Sequence, residues 1–316
     1  MAKTTLWYSN DDKHTFASYN KKIMDQIKTG FSLPKDEYPG FNVNRVINNE
    51  TLNLDSIRVS YSLYKCGVVN SVGKPITFSL IIFDEYGKVG FIIEKTSDAL
   101  RILRLLFCYG AKDRMVIEQE SYPSNSYVEE IFFSIINKLY RKQGKVSIDV
   151  GNKKLNFDLS RLDSVKGRAS TSGSLNSVST QGNDVINMLS TMSFLLETAM
   201  LSDITIALSF NKNKNITVSI HTNNSKTNPT LISVDVYEKQ YSGYLRIKEH
   251  GFQNTDIDFQ KLRARLLIIA HLEIIPLVPK ALPLKNYSTM KDLLNKKIIN
   301  DLGNELSKMQ DTDQIV

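Results

Sequence analysis

The sequence contains little of several residue types, and each shortage excludes a class of protein. Two cysteines, Cys66 and Cys108, are too few for a disulfide-rich secreted scaffold, so we expect a reducing compartment. Eight prolines and fifteen glycines exclude collagen-like and low-complexity chains. The longest apolar run, residues 266–272, is far shorter than the roughly 18 residues of a membrane-spanning helix. These shortages predict a globular protein that has no membrane partner.

Enzyme and targeting patterns are also missing. The sequence has no glycine-rich phosphate or dinucleotide loop, no H-E-x-x-H zinc pattern and no G-x-S-x-G nucleophile turn. Its four histidines are scattered, and none has metal-ligand spacing to a cysteine or another histidine. The first residues do not follow the basic-then-apolar order of a signal peptide. We therefore predict a non-enzymatic protein with no cofactor and no metal, located in the cytoplasm, or in the host cytoplasm if the protein is viral.

The charge balance is the one compositional indication of a partner. Forty Lys and Arg against 33 Asp and Glu give a formal net charge of +7. This excess favours an anionic partner, although over 316 residues it is mild and equally serves solubility.

Two irregular stretches divide the chain. Residues 160–184 are rich in Ser, Thr, Gly and Asn, which predicts a linker or long surface loop. Residues 274–287 contain three prolines spaced by apolar residues, which predicts an extended connector rather than a helix. The predicted organisation is a first sheet-helix module with an N-terminal extension and an extra helix and hairpin at 1–159, the linker at 160–184, a second sheet-helix module at 185–273, and the connector with a C-terminal helix at 274–316.

Hydrophobic periodicity predicts a similar order of elements in both halves. Alternating apolar residues predict strands, and apolar residues three and four apart predict helices. In the first half we predict strands at 56–64, 76–83 and 89–93, a poorly formed strand at 67–72, helices at 98–107 and 126–141, and a hairpin at 145–159. In the second half we predict a helix at 185–200, strands at 204–210, 216–221, 231–237 and 244–247, and a helix at 259–272.

Paired segments indicate an internal duplication. The segment DSIRVSYSLYK at 55–65 resembles SDITIALSFNK at 202–212, and ITFSLIIFDEYGKVGFIIEK at 76–95 resembles LISVDVYEKQYSGYLRIKE at 231–249. An amphipathic helix follows in each half. The predicted fold class is therefore α+β, with two related modules, each an antiparallel four-stranded sheet followed by a helix, and with extra helices outside them.

Basic and aromatic residues are interleaved on the predicted strands. Tyr244, Arg246 and Lys248 share one strand face, because side chains on a strand repeat every second residue. Cations can neutralise phosphates, and exposed rings can stack on unpaired bases at roughly 1 to 3 kcal/mol per base. The predicted nucleic-acid-binding residues are Arg58, Tyr64, Tyr86, Lys88, Phe91, Lys212, Lys214, Tyr237, Lys239, Tyr241, Tyr244, Arg246 and Lys248, and the basic pair 153–154 extends this track.

The order of elements, with hairpin-helix sequences such as ITFSLIIFDEYGKVGFIIEKTSDALRILRLL, resembles the Whirly and positive-cofactor-four superfamily of single-strand-binding proteins. This resemblance covers roughly half of the chain and includes no diagnostic short motif. It implies a curved sheet that grips single-stranded DNA or RNA without sequence preference, in a dimer or a duplicated chain. The weak strand at 67–72, the extra helix at 126–141 and the C-terminal helix depart from the family pattern. The Asn-, Lys- and Ile-rich composition fits a divergent phage member.

Two other functions stay open. A structural or assembly protein, such as a virion component, would use the sheets and the predicted helix at 289–308 for protein contacts, and that helix also offers a surface for a homo-oligomer. An enzyme acting on nucleic acid would need converging carboxylates, whereas the pairs at 84–85 and 129–130 fit a solvated turn and a solvated helix face. The leading prediction is non-enzymatic, largely sequence-independent binding of single-stranded DNA or RNA, in replication, recombination or transcription.

Overall fold

The protein folds as a mixed α+β chain that divides into two compact units. The first unit comprises Met1–Ser121 and Leu231–Ile274, and the second comprises Tyr122–Thr230 and Ile275–Val316. The predicted module at 185–273 is thus divided between the units. The computed structural model describes residues 3–31, 40–69, 73–94, 98–109, 117–169, 178–181, 186, 189–222, 230–244, 255–282 and 287–313.

The described elements follow in chain order. The strands are β1 (Thr5–Ser9), β2 (Asn42–Asn53), β3 (Arg58–Val69), β4 (Pro75–Glu85), β5 (Lys88–Ile93), β6 (Ile117–Gln119), β7 (Ser121–Tyr122), β8 (Lys145–Val150), β9 (Lys153–Ala169), β10 (Val178–Gln181), β11 (Thr198–Phe210), β12 (Asn213–Thr222) and β13 (Thr230–Val236). The α-helices are α1 (Phe16–Thr29), α2 (Ala99–Leu106), α3 (Asn125–Tyr140), α4 (Leu189–Glu197), α5 (Thr255–Ile269), α6 (Ile275–Ala281) and α7 (Tyr287–Asp313). A π-helical segment, Ala270–Ile274, joins α5 to α6.

The sheet of the first unit is covered on both faces. Its six strands are antiparallel, in the order β2-β3-β4-β5-β1-β6. The β4 residues 80–83 are each at most 1 % exposed, and successive strand residues point to opposite faces. On one face α1 and α2 supply Tyr19 and Leu103 to the core. On the other face, Arg263 of α5 binds Glu94 at the end of β5. Both faces of the sheet are therefore buried at β4.

The sheet of the second unit has one apolar and one polar face. Strands β10, β9, β11 and β12 pair antiparallel in that order, and β8 pairs with β9. Phe157, Leu162 and Ile206 are buried on the apolar face, and α3 packs on β9 and β11. On the polar face the Ser164 hydroxyl donates to Thr205 Oγ1 at 2.8 Å. Thr205, Thr217 and Ser219 on this face are at most 7 % exposed, so both faces of the sheet are buried at β11 and β12.

The predicted linker at 160–184 is wrong over residues 160–169, which belong to the long strand β9. Leu162 and Val165 of that segment are 0 % and 1 % exposed. Register shifts between β9 and β11 insert extra residues and interrupt the strict alternation. Leu162 and Val165 are therefore three residues apart, and the segment lacks the alternation of apolar and polar residues from which a strand is predicted. Residues 170–177 and 182–185 of the predicted linker lie outside the described residues.

The predicted extended connector at 274–287 is also wrong, because residues 275–281 form α6. Pro276 lies two residues after Ile274, inside one continuous helical stretch from Thr255 to Ala281, where a proline normally interrupts the backbone hydrogen bonds. Pro279 lies inside the helix, while Leu277 and Val278 are buried. Burial of these apolar side chains outweighs the local preference of the two prolines.

The strands predicted at 76–83, 89–93 and 231–237 are confirmed within one or two residues. Those predicted at 56–64, 204–210 and 216–221 correspond to β3, β11 and β12, whose ends differ from the prediction by up to six residues. The hairpin predicted at 145–159 is confirmed, and its second strand, β9, continues to Ala169. The helices predicted at 98–107, 126–141 and 259–272 correspond to α2, α3 and α5. The prediction of duplicated four-stranded modules is not confirmed: the first sheet has six strands, and β1 and β2 were not predicted. The coarser fold class, α+β with antiparallel sheets, is confirmed.

Candidate nucleic-acid interface

Two predicted stacking residues, Tyr64 and Phe91, lie in the core of the first unit, so their prediction as surface rings is wrong. Both are 0 % exposed. Tyr64 donates its hydroxyl to Asn20 Oδ1 at 2.5 Å, and burial raises the pKa of Tyr64 to about 12. Phe91 meets Tyr19 edge to face, with ring centroids 5.2 Å apart. Both side chains point to the sheet face that α1 and α2 cover, and the strand pattern alone does not show that cover.

The hairpin tip between β4 and β5 exposes Tyr86 beside carboxylates. Tyr86 is 76 % exposed, and its φ of 52° with the φ of 90° at Gly87 is typical of a two-residue hairpin turn. The Lys88 ammonium lies 3.6 Å from the centroid of the Tyr8 ring. Burial raises the pKa of Glu85, and the charge of Lys88 opposes that shift. The tip therefore pairs its cation locally and is a poor start for a phosphate track.

The strand predicted at 244–247 is wrong at Tyr244, because residues 242–244 are helical. Its ring stacks on Phe259 of α5, with centroids 4.8 Å apart and an interplanar angle of 25°. This contact occupies the ring that was predicted to meet a base. Arg246 and Lys248 lie outside the described residues.

Four other predicted residues of the first unit remain at or near the surface. Tyr237 and Tyr241 are half-buried on either side of the 3-10 turn Glu238–Gln240, which carries the exposed Lys239. Arg58 is exposed at the start of β3, opposite Asn53 of the edge strand β2. These four side chains are accessible, but they do not form a common surface with Tyr64 and Phe91, which are buried.

The two lysines predicted in the second unit lie at the hairpin of β11 and β12: Lys212 is in the connecting turn, and Lys214 is the second residue of β12. Lys212 and Lys214 are both exposed. Asn211 fixes the turn to β9, because its side-chain Oδ1 accepts from Asn156 N at 2.8 Å and its own N donates to Asn156 O at 3.0 Å. Asn211 has a φ of 48°, a conformation that Asn tolerates. The turn therefore presents both lysines beside β9.

A cluster of basic residues that the sequence analysis did not select lies where α3 ends. Residues 138–145, KLYRKQGK, contain four basic residues and no acidic one. The Gln143 N–H donates to Lys138 O and the Lys142 N–H to Leu139 O, which closes the helix end. Lys142 has a φ of 56°. Four cations within eight residues are a signal in the sequence, but they lie at a helix end, whereas the predicted basic and aromatic pattern follows strand faces.

The chain passes from α3 into β8 through a close backbone approach at Gly144. A Cβ on Gly144 would come within 2.0 Å of Leu159 O, so only glycine fits there. The Leu159 N–H donates to Gly144 O at 3.0 Å. The next residue, Lys145, pairs with Asp158 of β9, and Asp158 pairs with Ser209 of β11. Neighbouring strands are about 4.8 Å apart, so Lys145 lies about 10 Å from Ser209, which is three residues before Lys212.

These segments form one basic surface of the second unit, defined as residues 141–160 and 211–215. Its acidic residues are Asp149 and Asp158. Its net charge is +5, whereas the whole chain carries +7. The basic residues are exposed, and they are Arg141, Lys142, Lys145, Lys153, Lys154, Lys212 and Lys214. Most of the net charge of the protein is therefore concentrated here.

A cavity of about 680 Å³ opens within this basic surface. Tyr140 and Lys145 lie on its wall, and the Tyr140 hydroxyl donates to Asp301 of α7 at 2.5 Å. That hydrogen bond to a carboxylate raises the pKa of Tyr140, together with its burial. The cavity is lined by Leu139, Tyr140, Lys142, Gln143, Gly144, Lys145, Asp158, Leu159, Ser160 and Ile186.

The residues that the structure describes contain neither a candidate metal cluster nor a candidate membrane-spanning helix. No three His, Cys, Asp or Glu side chains there are arranged to hold a metal ion. No helix in that part of the chain is long and apolar enough to cross a membrane. Glu129 and Glu130 are half-buried on α3 instead of solvated, and burial raises the pKa of Glu129.

Comparison with known proteins gives weak structural similarity. No family model and no curated protein matches the sequence. The crystal structure of DynU16, a protein in the dynemicin biosynthetic locus, aligns over 83 % of this chain and 93 % of its own, with 6 % sequence identity and a TM-score of 0.17. A TM-score this low carries no argument about fold or function.

Proposed function

We propose that the protein binds single-stranded DNA or RNA, largely without sequence preference and without catalysis, through the basic surface of the second unit. The observation that carries this proposal is the concentration of +5 of the net charge of +7 on residues 141–160 and 211–215. Phosphate neutralisation by Lys and Arg releases condensed counterions, which drives binding and makes it salt-dependent.

Charge has a larger part in this proposal than the sequence pattern suggested. The rings of Tyr64 and Phe91 are buried, and Tyr244 already stacks on Phe259. Within the described residues of the basic surface, the one aromatic ring is Phe157, which is 3 % exposed, and Tyr140, on the wall of the cavity, is 9 % exposed. Affinity should therefore depend steeply on salt, with stacking limited to the cavity wall.

Fluorescence anisotropy with labelled oligo-dT and a labelled duplex tests the proposal. We expect oligo-dT to bind at about 50 mM salt and to lose affinity by about 0.7 in log K, per neutralised phosphate, for each tenfold rise in salt. We expect the duplex to bind less tightly. Absence of oligo-dT binding at low salt, or binding that does not change with salt, would refute the proposal.

The internal duplication and the likeness to the Whirly and positive-cofactor-four superfamily remain part of this proposal. The matched segments at 55–65 and 202–212 support it, because both form strands, β3 and β11, that have a neighbour on each side. The second matched pair, 76–95 and 231–249, is less alike in structure. The first of these segments contains the strands β4 and β5, whereas in the second β13 is followed by a 3-10 turn.

A second function, as a structural or assembly protein, is favoured by α7. This helix exposes Leu293 and Ile299 at 50 % and 56 % of their surfaces. Exposed large apolar side chains on one helix are suited to a homo-oligomer contact. Mass photometry of the protein without nucleic acid tests this alternative: a defined oligomer that Leu293→Lys dissociates would support it, and a monomer at all concentrations would exclude it.

A further inference from the structure

We propose that the cavity beside the end of α3 binds one nucleotide, with the base inside the cavity and the phosphate on Lys142 and Lys145. The inference rests on the proposed function, because it assigns one subsite of the basic surface. Its supporting features are the size of the cavity, the separation of apolar and basic lining residues, and the fixed position of its walls.

The cavity has an apolar part beside its polar lining, and its size suits a small molecule. Leu159 and Ile186 are each 5 % exposed, and Tyr140 is 9 % exposed. A volume of about 680 Å³ falls within the roughly 300 to 1,000 Å³ of small-molecule sites. A planar base that enters such a site leaves water and contacts both aliphatic side chains and an aromatic ring, which favours binding.

The polar lining residues are placed at the positions that a nucleotide requires. Lys142 and Lys145 are exposed and flank Gly144, so both ammonium groups can reach one phosphate at the mouth. Gln143 and Asp158 also line the cavity and offer hydrogen-bond acceptors to the edge of a base. A purely hydrophobic ligand would leave these groups unsatisfied, which costs affinity.

The walls are fixed by contacts outside the cavity. The Tyr140 hydroxyl donates to Asp301 at 2.5 Å, and the Lys297 ammonium lies 5.0 Å from the Tyr140 ring centroid. On the opposite side, the close approach of Gly144 to Leu159 O holds the start of β8 against β9. A preformed site loses little entropy when it binds, so a single nucleotide can bind without the rest of a strand.

The inference is tested by calorimetry with cytidine monophosphate, cytidine, inorganic phosphate and decanoate. We expect the monophosphate to bind at least about tenfold more tightly than phosphate or cytidine alone, since base and phosphate each add contacts. The variant Lys145→Gln should weaken it several-fold. Equal affinity for inorganic phosphate, or for the amphiphilic decanoate, would overturn the inference.

A filling variant separates this inference from the proposed function. Ser160→Trp places an indole in the cavity while all seven basic residues remain, and Ser147→Trp on β8 is the matched control outside the cavity. We expect only Ser160→Trp to abolish monophosphate binding, while both variants keep the salt-dependent oligo-dT binding that the seven basic residues supply. Urea unfolding checks that both variants fold.

Three results of these binding measurements distinguish the nucleotide site from the proposed function. Monophosphate binding that survives in Ser160→Trp would overturn the inference. Oligo-dT binding without any monophosphate binding would overturn the nucleotide site and leave the proposed function standing. Monophosphate binding without oligo-dT binding would support the site and refute the proposed function.

Discussion

At the scale of single residues, the π-helical segment contains two buried titratable side chains. The Thr4 hydroxyl donates to Val234 O at 2.7 Å, so its oxygen accepts from His271 Nε2 at 2.9 Å. His271 is therefore a neutral imidazole with the proton on Nε2. Burial lowers the pKa of His271 to about 3, so it stays neutral at physiological pH. Glu273 is 0 % exposed, and its Oε1 accepts from Ser56 N and Ser56 Oγ, each at 2.7 Å.

We expect His271 to reduce stability in acid. The unfolded chain binds this proton below about pH 6.5, whereas the folded protein does not bind it until near pH 3, so the free energy of unfolding falls as pH drops through this range. The loss from this group is about 2 kcal/mol at pH 5. His271→Gln keeps a donor for Thr4 but does not ionise. Urea unfolding at pH 8 and pH 5 should show a smaller loss in the variant, and equal losses would contradict the assignment.

We expect Glu273 to have the opposite pH dependence. Burial raises its pKa, so the folded protein binds the proton more tightly than the unfolded chain does. The stabilising contribution of the protonated carboxyl is complete below the unfolded pKa of about 4.5 and is lost as pH rises through the folded value. Glu273→Gln should therefore gain stability relative to the wild type between pH 4.5 and pH 8. A constant difference between the two proteins across this range would contradict it.

At the scale of elements, Arg263 connects α5 to three carboxylates of the first unit. Its Nε donates to Glu94 at 2.9 Å, Nη2 to Asp235 at 2.9 Å and Nη1 to Glu238 at 3.1 Å. Nη1 also donates to Val236 O at 3.0 Å. These contacts raise the pKa of Arg263 and join α5 to β5, β13 and the 3-10 turn. The network positions the helix that covers the second face of the sheet.

We expect Arg263→Met to destabilise the protein by about 3 to 5 kcal/mol, because it leaves three carboxylates together without their cation. Arg263→Lys should give an intermediate loss, since a single ammonium cannot serve all the acceptors that the guanidinium serves. Arg265→Met, at an exposed position of the same helix, is the matched control and should change stability by less than about 0.5 kcal/mol. The measurement is urea unfolding at pH 7. Similar losses for Met at 263 and 265 would show that the network contributes nothing.

The strand β9 shows where local sequence is insufficient. Its second half reads as a linker because Leu162 and Val165 are isolated among polar residues. Pairing with β11, including the Ser164 to Thr205 hydrogen bond, gives each residue a partner that the local sequence does not reveal. Likewise β2 is rich in Asn, which has low strand propensity, and forms because it pairs with β3. Strands with a clear alternation, such as β11 and β12, were predicted because they need no such context.

The strand assignment of 160–169 has a direct test. Leu162→Ala should cost about 2 to 5 kcal/mol, because it removes a fully buried side chain. Lys166→Ala, at an exposed position four residues later, should change stability by less than about 0.5 kcal/mol. Urea unfolding measures both. If the segment were a flexible linker, neither substitution would have a measurable effect.

At the scale of the whole molecule, the boundaries between the units have no sequence signature. The chain passes between them at 121–122, 230–231 and 274–275, and the last of these lies where the π-helical segment continues directly into α6. Composition predicted a boundary at 160–184 instead, inside the second unit. The candidate site was predicted in part, at Lys212 and Lys214. The rest of the basic surface depends on the β8-β9-β11 register, which brings residues about 65 positions apart in sequence to one side of the sheet.

The distribution of charge over the molecule leads to a final prediction. Lys142→Gln with Lys145→Gln, and Lys21→Gln with Lys28→Gln on α1 of the first unit, remove the same charge from exposed positions. If binding followed the net charge of +7, both double variants would weaken oligo-dT binding equally. Because the basic surface carries most of that charge, we expect only the first pair to weaken binding and to reduce the magnitude of the slope of log K against log salt by about 1.4. Anisotropy titrations at several salt concentrations measure both quantities, and equal slopes for the two variants would place the interface elsewhere.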